Sequence, residues 1–224
     1  MLRVVDLYPM RLFPAWMFFG ASLVVLSTSQ EVAGDVVRRP VPPQVMEQAR
    51  KAVQAMGLEV LKENYGHLYD TMYGPWRVRK ARALGGENVL REKIAVDMPA
   101  VIRRNGMQVT KFTAGRPTSA FEVRPVMKGG GGVVKEVSYF REWLVFVPTT
   151  RQCRIVHEGQ LTVLESTEFQ VAIATQGKND WTFINGSGLS MDELRSMFPT
   201  LPATKQKLGL PKVGPFVKVN PSRP

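Results

Sequence analysis

The chain has 224 residues, of which 44% are hydrophobic, so its size and composition fit one domain with a substantial core plus terminal extensions. A single cysteine, Cys153, excludes an internal disulfide and a cysteine-based metal cluster, and two histidines, His67 and His157, are too few for a typical zinc site. The net charge of +11 could attract a polyanion, but no nucleic-acid-binding motif accompanies it, so no nucleic-acid partner is expected.

Residues 1–30 carry the pattern of a targeting segment. Leu12 to Leu26 contains no charged residue, Arg3 and Arg11 precede it, and small residues follow it. This order is typical of a secretory signal peptide, and the apolar run is short for a membrane-spanning helix. We therefore expect an exported protein, periplasmic or secreted. The alternative is an uncleaved N-terminal anchor that holds the body of the protein outside the cytoplasm.

A proline-rich stretch, residues 31–45, predicts an extended linker in front of a single domain at residues 46–202. Apolar residues then recur at three- and four-residue steps from Gln44 to Met56, which predicts a helix. Gly57 interrupts this pattern. The same spacing then continues from Leu58 to Met72, so that this first long helix has one broad apolar face.

Gly74-Pro75 is expected to end this helical region, because proline cannot continue a helix and disfavours helical geometry in the residue before it. The four basic residues between Arg77 and Arg82 are then expected on a solvated face or loop. A further helix is predicted from about Glu87 to Arg104, with acidic residues at its start and basic residues at its end. Gly106 is its expected left-handed stop.

From Met107 onward the apolar period changes to two, which predicts an antiparallel meander. Pro148-Thr149-Thr150 is expected to turn the chain between two strands, and Gln176 to Asp180 forms a later hairpin turn. Ser190 and Glu193 match a capping box at the start of a short helix. Residues 203–224 contain five basic residues and no acidic one, and predict a basic, extended or disordered tail. The predicted strands lie at residues 109–113, 121–125, 133–147, 153–155, 161–164, 169–173 and 181–183.

Helices followed by strands predict an α+β domain in which N-terminal helices pack on one face of a curved antiparallel sheet. Two helices before a long-stranded, bent sheet resemble the NTF2-like superfamily, whose domain is a cone. The run Trp181-Thr182-Phe183-Ile184-Asn185-Gly186-Ser187-Gly188-Leu189, followed by Met197-Phe198-Pro199-Thr200-Leu201-Pro202, is similar to a pattern in small exported bacterial proteins of unassigned function. The superfamily contains isomerases, dehydratases and non-enzymatic binding domains, so the resemblance implies a fold and no single activity.

Few residues are candidates for chemistry. His67 and Asp70 lie three residues apart on a predicted helix, next to Tyr69, so they could form an acid/base pair if that helix lines the cone of an NTF2-like domain. A surface contact between the histidine and the aspartate is the simpler interpretation. Tyr65, Trp143 and Trp181 are the candidates for contact with an apolar ligand. No metal site and no cofactor are predicted.

The sequence favours an exported, non-enzymatic α+β domain that acts as a binding or assembly module of the cell envelope. Its expected partner is another envelope protein or a small apolar ligand. One alternative is an isomerase or hydratase that acts on a small apolar ligand in the cone. The other is a basic envelope protein that binds anionic lipid or polymer through residues 203–224. Membrane contact is expected only through the N-terminal segment or, weakly, through this tail, and no oligomeric state is predicted.

Overall fold

The computed structural model describes residues 40–128, 135–137, 141–157 and 159–219, which belong to one unit, Arg38–Pro224. The first half of this unit is mainly helical, and the second half is mainly β-structure. In chain order the elements are α1 (Pro43–Leu61), α2 (Gly66–Asp70), α3 (Gly74–Leu84), α4 (Glu87–Glu92), a π-helical turn (Lys93–Asp97), α5 (Met98–Arg104), β1 (Met107–Ala114), β2 (Ser119–Val123), β3 (Val126–Lys128), β4 (Lys135–Val137), β5 (Glu142–His157), β6 (Gln160–Thr175), β7 (Thr182–Asn185), α6 (Met191–Met197), α7 (Lys205–Leu208) and β8 (Val217–Val219).

Two long strands form the centre of the sheet. β5 and β6 pair antiparallel without a register shift from Glu142 opposite Thr175 to His157 opposite Gln160. β2 and β1 pair one after the other along the free edge of β5, and β7 and β8 do the same along the free edge of β6. β3 and β4 form a separate two-stranded ribbon. The six-stranded antiparallel sheet is curved, and the α+β prediction is confirmed.

The end of the sheet nearest Glu142 is covered on both faces. Side chains of β5 and β6 alternate between two apolar clusters, because neighbouring residues of a strand point to opposite faces. One cluster lies under α1 and contains Val53, Val145 and Ala172, and the other lies against α3 and α6 and contains Trp76 and Phe146. The expectation that helices cover only one face is therefore incomplete. Strands buried on both sides also explain the continuous apolar run at residues 144–147.

α1 continues through Gly57, where the sequence predicted an interruption. Gly57 is buried, and a Cβ atom built on it would lie 1.9 Å from Cδ1 of Phe112 on β1. Because Gly57 has no side chain, the Phe112 ring can pack directly against the backbone of α1. α1 ends at Leu61, and the predicted continuation to Met72 is only the short helix α2.

Gly74-Pro75 begins a helix instead of ending one. Pro75 lies in the first turn of α3, where the backbone N–H groups have no intrahelical acceptor and a missing one costs nothing. The basic residues from Arg77 to Arg82 consequently lie on a helix. Pro43 is likewise tolerated in the first turn of α1, so this helix begins inside the predicted linker at residues 31–45.

The helix predicted from Glu87 to Arg104 has these bounds, but its middle turn, Lys93–Asp97, is π-helical. Pro99 lies two residues after the end of this turn. Proline lacks the N–H that an α-helix needs and crowds the carbonyl one turn earlier, and a wider π turn relieves both problems. Gly106, with φ of +59°, is the left-handed residue that the sequence predicted after the helix.

The turn predicted at Pro148-Thr149-Thr150 is wrong, because β5 runs straight through it. The Pro148 carbonyl accepts a hydrogen bond of 2.7 Å from the N–H of Gly115, in the connection between β1 and β2. The missing N–H of Pro148 therefore falls at the gap between two successive edge strands, where the ladder needs no donor.

The C-terminal region differs from the predicted tail. α7 and β8 lie within it, Leu208 is fully buried, and Phe216 packs against an apolar cluster that includes Tyr65. The N–H of Gly214 donates to the carbonyl of Thr167 at 2.9 Å, just before β8 pairs with β6. Residues 204–219 thus complete the edge of the sheet that β7 begins. The domain extends past its predicted end at residue 202.

Local predictions around the last hairpin are confirmed. The Asp180 carboxylate accepts hydrogen bonds of 3.0 Å from both the N–H and the hydroxyl of Thr175, which closes the turn between β6 and β7. Ser190 and Glu193 form a reciprocal capping box at the start of α6. Residues 129–132, four consecutive glycines, lie outside the described residues.

Within the part of the chain that the structure describes, no helix has the length and apolarity needed to cross a bilayer. The predicted targeting segment, residues 1–30, lies outside that part.

Candidate functional site

A polar cluster interrupts the apolar α1 face in the middle of the β5–β6 hairpin. Arg151 lies opposite Ser166 in the strand register, and its Nη2 donates to Oε1 of Glu168 at 2.7 Å. The two charged side chains keep only 17% and 18% of their surface exposed, so this ion pair is mostly withdrawn from water. Thr149 and Gln170 are buried on the same face. We call these five residues the inner polar cluster.

Aromatic and sulfur groups surround the inner polar cluster. The Phe216 ring lies 5.6 Å from the guanidinium of Arg151, and Tyr65 and Cys153 are almost fully buried beside it. Burial raises the pKa of the Tyr65 hydroxyl and of the Cys153 thiol, and the positive charge of Arg151 opposes both shifts. The raised pKa makes Cys153 a poor nucleophile, because the thiolate is the reactive form.

The interior beneath α1 holds little free space. A cavity of about 10 Å³ lies next to Tyr65, lined by Val60, Glu63, Ile102 and Arg103 among others. That volume is about the minimum for one water molecule, whereas pockets for small-molecule ligands measure roughly 300–1,000 Å³. Within the inner polar cluster the charges of Arg151 and Glu168 offset each other, and the cavity next to Tyr65 is too small for a substrate.

The structure separates the predicted acid/base residues. Tyr69 is buried with Ala81 and Leu90, between the guanidinium groups of Arg77 and Arg91. Asp70 is exposed, and His67 is partly exposed. No hydrogen bond or ion pair joins His67 to Asp70.

The predicted ligand-contacting residues also fall in two places. Trp143 and Trp181 pack in the apolar cluster under α1, and the Trp181 Nε1–H donates to Oδ1 of Asn179 at 2.9 Å. Tyr65 belongs to a different cluster, with Ile102 and Cys153. The two tryptophans act as core residues, and only Tyr65 reaches the inner polar cluster.

One titratable pair was missed by the sequence reasoning. The Tyr73 hydroxyl donates to Oε2 of Glu142 at 3.0 Å, 69 positions apart in the chain. Burial raises the pKa of both groups, and the negative charge of Asp180 raises the pKa of Glu142 further. Nothing in the local sequence of either residue signals this contact. Tyr73 packs on Phe198, so the pair joins the helical half to the sheet.

The most unusual surface lies on the opposite face of the hairpin, near its tip. In the strand register, Val156 is opposite Leu161, and the next row places Val163 opposite Val219. Val156, Leu161 and Val217 are 53%, 58% and 50% exposed, and Val163 and Val219 are half-buried. We call Val156, Leu161, Val163, Val217 and Val219 the outer hairpin face.

Basic side chains border the outer hairpin face. Arg154 lies between Val156 and Gln152 along β5, directly opposite Val163. Lys111 of β1 is exposed on the same face, opposite Gln152 in the strand register, and Arg104 is exposed at the end of α5. Among the described residues, none of these three cations has a carboxylate oxygen within 4.0 Å, and Arg154 donates to Oε1 of Gln108 at 2.6 Å. Lys218, opposite Leu164 in the register, points to the other face of the sheet. The acidic residue on the side of the outer hairpin face, Glu165, accepts a hydrogen bond of 2.8 Å from Gln152.

The described residues contain no cluster of three or more His, Cys, Asp or Glu side chains that could hold a metal ion. No model of a protein family matches the chain, and neither a curated protein nor a solved structure matches it. The interpretation of function therefore depends on the geometry of the chain itself.

Proposed function

We propose that the chain is an exported, non-enzymatic binding or assembly domain of the cell envelope, NTF2-like in outline, and that it contacts its partner through the outer hairpin face. The observation that carries this proposal is the contrast between the two sides of one hairpin. The side under α1 is filled by side chains, whereas the other side presents three aliphatic residues that are at least half exposed.

The filled interior argues against a ligand in the cone. Arg151 and Glu168 pair with each other, Phe216 covers the arginine, and the neighbouring cavity has room for about one water molecule. An isomerase or hydratase would need His67, Asp70 and Tyr69 to converge on an open pocket. Tyr69 is buried in a cluster with Ala81 and Leu90, whereas Asp70 next to it is exposed.

Exposed aliphatic residues are common, but they rarely form a contiguous row on a sheet. On one face of an antiparallel pair, directly opposed side chains have Cβ atoms about 4.5–5.5 Å apart, so the register alone makes Val156–Leu161 and Val163–Val219 neighbours. Such an exposed apolar patch with a polar rim marks an interaction site. The targeting pattern of residues 1–30 supports a partner outside the cytoplasm.

Site-specific photo-crosslinking in cells tests the contact surface. A photoreactive residue in place of Leu161 is expected to form an adduct, detected by its added mass. The same residue in place of Val96, which is 58% exposed on the π-helical turn, is the matched control and is expected to form none. Adducts at Val96 but none at Leu161, Val156 or Val217 would show that the contact surface lies elsewhere.

Cell fractionation tests the location separately. The mature protein is expected in the periplasmic or secreted fraction, and N-terminal sequencing should find its first residue after Leu26. Recovery of the intact chain in the cytoplasm would contradict export without bearing on the contact surface.

A further inference from the structure

We infer that the partner of the outer hairpin face is an anionic lipid surface, onto which the five aliphatic residues of this face dock. This inference rests on the proposed function and names the chemical class of its partner. It differs from the sequence hypothesis of a disordered basic tail, because the surface is built by folded strands and β8 is one of them.

The apolar part of the surface is narrow and rigid. Its residues come from the ends of β5 and β6 and from β8, and the ladder holds them in adjacent rows. Four of the five are valines, whose β-branched side chains have few rotamers to lose on burial. A strip of this kind can insert to the depth of about 5–10 Å at which interfacial elements sit in a bilayer.

The charged part of the surface selects a negative partner. Arg154 lies within the aliphatic row, opposite Val163, and Lys111 lies on the same face, opposite Gln152. The Val156 N–H donates to the carbonyl of Gly106, two residues after Arg104 at the end of α5. Long basic side chains beside an apolar strip can keep their charges at the level of lipid phosphates while the strip is buried.

Two other partners, a second copy of the chain and a different protein, fit the outer hairpin face less well. A second copy of the chain would bring Arg154 and Lys111 against the same cations, and the acidic residue described on this face, Glu165, already accepts a hydrogen bond from Gln152. A stable protein interface buries about 800 Å² on each partner, with roughly 20–30 residues a side. A strip of five aliphatic residues is far smaller than that.

The chain allows the contact to be observed directly. Cys153 is 1% exposed and its pKa is raised by burial, so it is slow to alkylate, and a cysteine introduced at the surface can be labelled selectively. We would label Leu161→Cys and, as the matched control, Val96→Cys with a polarity-sensitive fluorophore in the full chain. This readout reports on the labelled position even if the apolar N-terminal segment also contacts lipid.

Vesicles of phosphatidylglycerol should shift the Leu161→Cys fluorophore to shorter wavelength, and phosphatidylcholine vesicles should not. The Val96→Cys fluorophore should be unchanged by either. Arg154→Gln should weaken the response about fivefold, because one basic residue near an anionic surface contributes about that factor. Added salt should weaken it too, since exposed charges are screened. Val156→Thr, which keeps the shape and β-propensity of the side chain, should weaken it through the apolar strip.

Three results with vesicles would overturn the inference. They are no shift at Leu161→Cys on anionic vesicles, an equal shift at Val96→Cys, and an equal shift on neutral vesicles. A shift without vesicles that grows with protein concentration would identify a second copy as the occupant and would also overturn it. A crosslinked protein at Leu161 combined with no vesicle response would leave the proposed contact surface standing and remove only the lipid partner.

Discussion

Alanine in place of Gly57 is expected to destabilise this protein, although alanine is the better helix former. In the interior of an exposed helix, replacing glycine by alanine gains about 1 kcal/mol. Here the new Cβ would lie 1.9, 2.2 and 2.4 Å from three ring carbons of Phe112, distances that real Cβ atoms essentially never show. The ring cannot easily move away, because Phe112 is paired with Arg151 in the sheet and Gln54 of α1 bonds its carbonyl.

Overpacking of this kind costs about 1–3 kcal/mol, and the close contacts place Gly57→Ala at the upper end, so we expect a net loss of about 1–2 kcal/mol after the gain in helix propensity. Urea unfolding followed by circular dichroism measures it, with an unchanged m value as the sign of an unaltered denatured state. Gly66→Ala is the matched control, because its nearest neighbour would be 3.8 Å away, and it should change stability by less than about 0.5 kcal/mol.

The sign of the effect identifies its cause. In a Phe112→Ala background the steric conflict is gone, so Gly57→Ala should become stabilising by up to about 1 kcal/mol. The reasoning fails if Gly57→Ala stabilises the wild-type chain, or if its cost is the same whether or not the Phe112 ring is present. Either result would mean that α1 and β1 do not approach each other as the structure shows.

Three further variants test other contacts. Gln54→Ala should cost about 1–3 kcal/mol, because its amide holds both the Phe112 carbonyl (3.2 Å) and the Ala114 N–H (2.8 Å) at the free edge of β1, and Gln48→Ala on the exposed side of α1 should be near neutral in the same urea assay. Leu208→Ala should cost about 2–5 kcal/mol because Leu208 is fully buried, whereas Val213→Ala, at a position 55% exposed, should cost little. Equally small losses of stability in both variants would show that residues 203–219 are not packed against the domain. Glu142→Gln tests how stability depends on pH. Burial raises the folded-state pKa of Glu142 above its ordinary value near 4.5. The protonated side chain therefore stabilises the folded wild-type chain below that pH, and this contribution to the free energy of unfolding is lost as pH rises through the folded pKa. The variant should therefore gain stability relative to wild type between acidic and neutral pH, and a difference that does not change with pH would contradict the assigned burial.

The order of helices and strands could be predicted from the sequence because it depends on local periodicity. The helix from Glu87 to Arg104, the stop at Gly106, the turn closed by Asp180 and the capping box of Ser190 all follow from residues within a few positions of each other. These are short-range effects of the backbone and of capping, and they persist in the folded domain.

Two of the errors have their physical origin in tertiary contacts. A proline weakens a strand, so Pro148 alone predicts a turn, but its missing N–H falls at the junction of two edge strands. A glycine weakens a helix, so Gly57 alone predicts a break, and the Phe112 ring, 55 positions later, explains why this glycine lies within the helix. Pro75 is a local case, because proline can begin a helix as well as end one. For Pro148 and Gly57 the structural use of the residue depends on a distant partner.

The candidate surface shows the same limit more strongly. Val156 and Leu161 lie close together in sequence, but Val156 follows the apolar Ile155 and Val163 precedes the apolar Leu164, so the sequence does not say which face of either strand is covered. Val217 and Val219 join them only because β8 pairs with β6, and that pairing depends on Gly214 and Thr167 and on the buried Leu208 upstream. The segment that looked least structured therefore supplies two of the five residues of the outer hairpin face. A protein that used this surface would lose it on losing the β8 pairing, so the C-terminal segment is as much a part of the proposed contact as the hairpin itself.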